Sequence, residues 1–347
     1  MGLIANNVRI MQGYVPGEQP QDVSVLKLNT NENPYPPSPM VFKTFKNISI
    51  DYLRKYPDPL CKELREEIAS SFSCSMENVF IGNGSDEILA LASRAFVENT
   101  GSIGYVEPSY SLYKVIAQIR NVKIKPIFVD RQFKWSLPKS YKVSLFYFTN
   151  PNAPSGIQYD FDFVQHCCSK MSKNVLIIDE AYVDFAKFDC LSLAFRFKNV
   201  LILRTLSKSY SLAGLRVGFA IGNKQLINAL FKVKDSYNVD YIAQKLAIAA
   251  IRDKEYLGKI VKKIIRERER LSDALKVYGF EVLPSQANFL FARPPKPLNA
   301  KVLFEKLRSR KIYVRYFPGK ITGDGIRITI GTPEQMNVLI NEIKKLI

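Results

Sequence analysis

Short apolar runs in this 347-residue chain are followed, one after another, by residues capable of chemistry. Val79–Ile81 leads into Gly82-Asn83-Gly84-Ser85-Asp86-Glu87, a glycine-rich turn that opens a helix. Free backbone N–H groups and the positive end of the helix dipole make such a turn an anion seat, unless it is only a tight turn capped by Ser85. Its spacing is not that of a dinucleotide-binding loop, since the third glycine position holds Glu87. Val143–Phe148 leads into Thr149-Asn150-Pro151-Asn152-Ala153-Pro154-Ser155-Gly156, two amide side chains in a proline-rich turn. Val175–Ile178 ends on Asp179-Glu180-Ala181-Tyr182, where a carboxylate after a buried strand either needs a partner or serves as a helix cap. Val200–Leu203 ends on Arg204-Thr205-Leu206-Ser207-Lys208-Ser209, and Arg216 introduces the next run, Val217–Ile221.

An anion cradle, a second cation, a lysine, a buried carboxylate, an amide and a tyrosine suit a phosphorylated pyridine aldehyde. Backbone amides and Arg216 would take the phosphate, Lys208 the aldehyde, and Asp179 the protonated ring nitrogen.

The elements that must position these groups alternate unbroken apolar runs with helical segments, the signature of a mainly parallel sheet covered by helices on both faces. Ligands of such sheets lie beyond the carboxyl ends of the strands, which is where the polar clusters fall. Further strands are expected over Ser102–Val106 and Lys123–Val129. Helices are expected over Leu60–Ser71, Asp86–Phe96, Tyr110–Ile119, Phe161–Ser169 and Lys224–Val233. Ala243–Arg252 and Tyr256–Tyr278 read as long helices, the second with alternating charges, Arg266-Glu-Arg-Glu-Arg270, that suit a solvated face. Strands at Phe289–Ala292, Ile312–Arg315 and Ile326–Ile330 with two helices make a compact α/β unit near the end. Residues 20–40, rich in Asn and Pro, suggest an arm laid across a surface. The expected organisation is an arm and part of a small domain in 1–42, a large domain in 43–250, and a small domain in 251–347.

Composition narrows the chemistry. The single histidine, His166, lies on an expected outer helix, which leaves no histidine cluster for a metal, so no metal site is expected. The five cysteines form no C-x-x-C pair, which suits a reducing compartment. The chain start does not read as a secretory signal, and no stretch reaches the roughly 18 apolar residues of a bilayer span, so a soluble cytoplasmic protein is expected, with no membrane partner. The net charge of +18 raises the alternative of a basic nucleic-acid-binding protein. Its basic residues are spread along the chain without interleaved aromatics, and no nucleic-acid partner is expected.

The ordered motifs Gly13-Tyr14-Val-Pro16-Gly17, Leu28-Asn-Thr-Asn31-Glu-Asn33-Pro34, Tyr56-Pro57-Asp58, Gly82 to Glu87, Asn150 to Gly156, Asp179 to Tyr182, Thr205 to Ser209, Leu215-Arg216-Val-Gly218 and Ile326-Arg327-Ile-Thr-Ile-Gly331 run through nearly the whole chain. With them the sequence resembles the pyridoxal-phosphate-dependent aminotransferases of the aspartate aminotransferase fold, and within these the histidinol-phosphate aminotransferase group. The resemblance implies pyridoxal 5'-phosphate joined to Lys208, with Asp179 on the ring nitrogen and Tyr182 and Asn152 on the phenolic oxygen. Ser85, Asp86, Thr205, Ser207 and Arg216 would seat the phosphate, and Tyr110 would stack on the ring. Tyr56 would reach the phosphate of a neighbouring subunit, which requires a homodimer. Arg327 would clamp the donor carboxylate, Arg315 with Tyr14 would help bind a substrate phosphate, and Asn31 joins them on the substrate side. Relatives often have two adjacent Asn where this chain has Asn152-Ala153, so Asn152 is chosen and Asn150 held in reserve.

The implied reaction moves an amino group between glutamate and a small phosphorylated ketone, with Lys208 as the base at Cα. A three-carbon keto phosphate such as dihydroxyacetone phosphate fits the same anion-binding logic as the larger imidazole-bearing one. A decarboxylase of serine or threonine phosphate would use the same cofactor site.

Overall fold

The computed structural model describes residues 2–22 and 24–347; Met1, the first residue of the expected arm, and Val23 lie outside the described residues. Its strands are β1 (Leu26–Lys27), β2 (Val79–Asn83), β3 (Ser102–Glu107), β4 (Lys123–Phe128), β5 (Leu145–Thr149), β6 (Val175–Asp179), β7 (Val200–Thr205), β8 (Val217–Gly222), β9 (Glu281–Val282), β10 (Phe289–Arg293), β11 (Ile312–Tyr313), β12 (Arg315–Tyr316) and β13 (Ile326–Thr329). Seven of them form one sheet in the order β2-β8-β7-β6-β5-β3-β4. Strands β5 to β7 are buried almost throughout, as apolar runs covered on both faces must be.

One strand departs from the parallel pattern: β8 runs antiparallel to both β7 and β2. Its first residues therefore lie at the same edge of the sheet as the last residues of its neighbours, with Val217 opposite Asn83 and Gly218 opposite Thr205. This reversal brings Arg216 to the edge where Gly84, Asp179 and Thr205 also end. Arg216 sits there in a left-handed backbone conformation, φ 54°.

The second sheet, β12-β13-β10-β9, is antiparallel and packs with the helices Lys254–Val277, Ala300–Ser309 and Pro333–Lys344 into a separate apolar core. Phe289 is fully buried in it, a burial worth about 1.5–3 kcal/mol, while Phe291, also fully buried, packs with residues of the seven-stranded sheet. Leu26–Lys27 of the arm pair in parallel with β11, so the arm and the C-terminal part are hydrogen-bonded together.

Two expectations are corrected. Ile312–Arg315 is not one strand: Ile312–Tyr313 pair with the arm and Arg315–Tyr316 with β13, because the buried Val314 marks where the chain changes partner sheets. Nor is the charged run of the long helix wholly solvated. Glu267 and Arg268 are buried, and Arg268 Nη1 donates to the carbonyls of Phe185 and Ala287, both at 3.0 Å. Burying a guanidinium is tolerated only with such acceptors, and these tie the long helix to the segment that follows Asp179.

The contact between β8 and the helix Gly84–Phe96 leaves no room for a side chain at Gly218, where a Cβ would lie 2.5 Å from the Ser85 nitrogen and 2.7 Å from the Gly84 carbonyl carbon. Gly218→Ala should therefore cost about 1–3 kcal/mol of stability. A lowered urea midpoint is the expected reading, and an unchanged one would show that the two segments do not touch.

Candidate active site

The sheet edge opens into a cavity of about 440 Å³. It is lined by Tyr14, Asn31, Ser85, Asp86, Tyr110, Asp179, Tyr182, Thr205, Ser207, Lys208, Arg216, Arg315 and Arg327, so thirteen of the fifteen residues singled out from the sequence converge on one space. At one end, the helix Gly84–Phe96 points its first turn at the cavity. The helix begins at Gly84, so Ser85 lies inside the first turn and is not its cap. The amides of Ser85 and Asp86 thus belong to the first-turn donors that have no acceptor within a helix. Gly84 has φ +78°, and a Cβ there would lie 2.6 Å from Arg216 Nη2. Only glycine lets the guanidinium come this close to the helix start. The Asp86 carboxylate contributes more than its amide: it accepts from Arg216 Nη2 at 2.9 Å and from the Tyr110 hydroxyl at 3.0 Å. Thr205 and Ser207 complete this end, their hydroxyls 2.9 Å apart.

Asp179 forms the floor. It is almost fully buried, and it does not cap a helix, since only the short turn Val183–Phe185 follows. Burial pushes its pKa up to about 6, against the opposing effect of two donors, the Tyr113 hydroxyl at 2.6 Å and the Ala181 N–H at 3.2 Å. Tyr113 is fully buried and also bonds Thr149 Oγ1 at 2.7 Å. It was not among the residues singled out from the sequence; Tyr110, three residues earlier, lies just before the helix Leu112–Ile119 that carries Tyr113.

Lys208 stands over this floor. Burial, with Arg327 nearby, lowers its amine to about pKa 8. Its Nζ is 5.9 Å from the centre of the Tyr182 ring, and the Tyr182 hydroxyl accepts from Asn31 Nδ2 at 3.0 Å. Asn31 in turn is held by Thr329, whose Oγ1 accepts the Asn31 N–H at 3.0 Å and donates to its Oδ1 at 3.1 Å. Asn31 thus orients Tyr182 as well as lining the cavity. Arg327 donates from Nη2 to the Asn29 carbonyl at 2.8 Å, and burial lowers its pKa to about 10. Arg315 donates to the carbonyls of Pro16 at 3.1 Å and Val15 at 3.2 Å, holding the strap that carries Tyr14. The Tyr14 ring meets Tyr110 edge to face, 5.8 Å between centroids.

Two expected residues are elsewhere. Asn152 is fully buried in its own turn, with Oδ1 accepting the Ser155 hydroxyl at 2.7 Å and Nδ2 donating to the Pro108 carbonyl at 3.4 Å, so it does not face the cavity. The reserve, Asn150, is likewise tied to Tyr159. That turn presents Ala153 and Pro154 to the cavity instead. Tyr56 is also outside it, 81% exposed and stacked on Tyr237 at 4.4 Å. Conversely, Thr30, Ser109, Phe317 and Thr322 line the cavity without having been anticipated. Thr30 had a local signal in its place beside Asn31, and Phe317 in its place two residues beyond Arg315.

The remaining groups take no part. His166 is exposed on the helix Phe161–Lys170, and burial raises the thiols of Cys61, Cys167 and Cys168 to about 12. Among the described residues no group of His, Cys, Asp or Glu could hold a metal ion, and no helix is long and apolar enough to cross a membrane.

The family model for class I and II aminotransferases matches residues 23–343, and the chain belongs to that family. Within it the chain falls with the histidinol-phosphate aminotransferases. It is 45% identical over 347 residues to histidinol-phosphate aminotransferase 1 of Nostoc, covering 99% of this chain and 97% of that one. It is 43% identical to the histidinol-phosphate aminotransferase of Syntrophotalea carbinolica, with 97% of each covered. In three dimensions it is similar to the histidinol-phosphate aminotransferase of Sinorhizobium meliloti solved with pyridoxal 5'-phosphate, at a TM-score of 0.89 and 22% identity over 100% of this chain and 99% of that one. An aspartate aminotransferase of Thermus thermophilus follows at 0.83 and 17% identity, with both chains fully covered. The fold is that of aspartate aminotransferase.

The Tyr113 bond to Asp179 yields a signed prediction. Asp179 is charged above about pH 6, so Tyr113→Phe removes a hydrogen bond to an ionised group there, worth about 1.5–3 kcal/mol. Below that pH the carboxyl is protonated and the loss should shrink. Urea midpoints of the variant at pH 5 and pH 8 test this; an equal deficit at both would refute it.

Proposed function

We propose that the protein is a pyridoxal 5'-phosphate enzyme that moves an amino group between glutamate and a phosphorylated ketone, the aminated form of which is of the histidinol phosphate type. The observation that carries this reading is the meeting of Lys208, Asp179 and Arg216 in one cavity with the N-terminus of a helix. The residues present fit the cofactor. The helix start, Thr205, Ser207 and Arg216 match a phosphate, and the close approach of Arg216 over Gly84 is built for an anion. Ser109 Oγ, Thr30 Oγ1 and Arg327 Nε are buried polar atoms of the cavity without a protein partner, which leaves donors for a ligand.

Pyridoxal 5'-phosphate, when bound, supplies an electron-withdrawing ring that stabilises negative charge at the substrate's Cα. Asp179 would hold a proton at the ring nitrogen, and Tyr110 would lie against the ring. Tyr182, oriented by Asn31, would be the hydrogen-bonding partner of the phenolic oxygen on its own, since the turn of Asn152 offers Ala153 and Pro154. Lys208 would tether the cofactor through Nζ. As a neutral amine it is also the base that takes the proton from Cα and returns it, and an amine near pKa 8 is suited to both directions. Arg327 would fork onto the donor carboxylate, while Arg315 and Tyr14 would receive the substrate phosphate.

The relatives at 40–45% identity bear the histidinol-phosphate aminotransferase name, which supports an imidazole-bearing keto phosphate over a three-carbon one and transamination over decarboxylation. A homodimer in the cytoplasm completes the reading. Phe42, Phe45, Ile50, Leu53, Tyr56 and Leu60 are all at least half exposed within twenty residues, an apolar surface suited to a second copy. Tyr56 on that surface would reach the partner's phosphate site.

Glutamate should yield 2-oxoglutarate in a first half-reaction, and the imidazole-bearing keto phosphate should be consumed in the second, forming histidinol phosphate, with ping-pong kinetics. Release of CO₂ from phosphothreonine without 2-oxoglutarate formation would overturn the transaminase reading. Lys208→Ala should abolish turnover and borohydride fixation of the cofactor. Fixation at another lysine would refute the assignment. Asp179→Asn should retain the fold but lower kcat by about 10²–10³-fold, the scale of losing one preorganised electrostatic group; near-normal turnover would exclude its role.

A further inference from the structure

Arg315 and Arg327 are direct cross-strand partners in the β12–β13 ladder. Like charges placed directly opposite destabilise a sheet, so something must offset the pair. Each guanidinium is held from one side by the arm: Arg315 by the carbonyls of Val15 and Pro16, and Arg327 by that of Asn29. Between these anchorages lies a single shared group, the ring of Phe317. The Arg315 guanidinium carbon lies 5.3 Å from its centre and that of Arg327 5.2 Å, while Arg327 also lies 5.2 Å from Phe289. The ring lines the cavity.

The turn that follows Phe317 is fixed to the body of the protein. Gly323 donates to the Gly319 carbonyl at 2.8 Å, and the Asp324 carboxylate is clasped by Arg293 Nε at 2.9 Å and Arg131 Nε at 3.1 Å. Arg293 is itself buried, and it also bonds Glu281 and the Arg131 carbonyl. The ring is thus presented by an anchored loop.

We infer that Phe317 is a positioning residue shared by the two half-reactions. Its ring keeps the Arg315 and Arg327 guanidiniums apart as two separate anion receptors, one for the amino donor's carboxylate and one for the phosphate of the other substrate. This rests on the substrate reading proposed above. An aliphatic side chain would fill much of the space but would provide no π face, and the two cations would lose their common partner.

Phe317→Leu and Phe317→Tyr, with Arg315→Lys for comparison, test the inference in the cofactor-loaded enzyme. Phe317→Leu should raise KM for glutamate, with the keto phosphate as acceptor, and KM for histidinol phosphate, with 2-oxoglutarate as acceptor, each by about tenfold, the scale of a partly desolvated cation–π contact, with a smaller effect on kcat. Phe317→Tyr, which keeps the ring, should restore both to within about threefold of the parent. Arg315→Lys should raise KM for histidinol phosphate alone. A rise confined to one substrate in Phe317→Leu, a fall in kcat at unchanged KM, or failure of Phe317→Tyr to restore binding would each overturn the role of Phe317. Failure of the substrate reading itself has a different signature: the parent enzyme would not turn over histidinol phosphate, and inorganic phosphate would not compete with it.

Discussion

The structure depends on keeping a buried carboxylate at the bottom of a cavity. Burial alone drives Asp179 toward its neutral form, and the fold resists with a short bond from Tyr113 and one from the Ala181 amide. Tyr113 is fixed in turn by Thr149 at the end of the neighbouring strand and by a stacked contact with Tyr147, 4.7 Å between ring centres. The sheet thus secures the carboxylate from several strands at once. A cationic ring nitrogen would be the natural complement to that group, which is why the acid can sit where an unpartnered charge would be costly.

The reversed direction of β8 is the second condition. With β2, β6 and β7 parallel and β8 opposed to them, the start of one strand and the ends of the others share an edge. Arg216 could not otherwise stand beside Gly84, and the helix start would lack its cation. The tight contact of Gly218 with Ser85 and the left-handed backbone at Arg216 are local consequences of bringing these segments together.

Much of this was legible in the sequence because buried parallel strands appear as unbroken apolar runs, and the polar residues just after each run mark the ligand edge. Asp179, Thr205, Ser207 and Lys208 follow from that rule alone. What depends on contacts between distant segments was not legible. The split of Ile312–Arg315 is decided by the arm, which supplies a partner for its first half. Arg268 looked like one more charge on a solvated helix because the carbonyls of Phe185 and Ala287 that receive it lie far away in sequence. Asn152 misled because an amide beside proline is as useful for closing its own turn, here through Ser155, as for meeting a ligand. Tyr56 is exposed in a single chain, and no local pattern states what covers it.

The cations of the cavity illustrate how one arrangement serves two ends. Arg327, proposed above to meet an anion, also lowers the Lys208 amine, second only to burial. An anionic substrate that pairs with Arg327 would weaken that second influence and leave the first untouched, since the walls around Lys208 do not change. On the reading proposed above, the arginine that would bind the substrate therefore leaves in place the larger cause that lowers the base, which is burial.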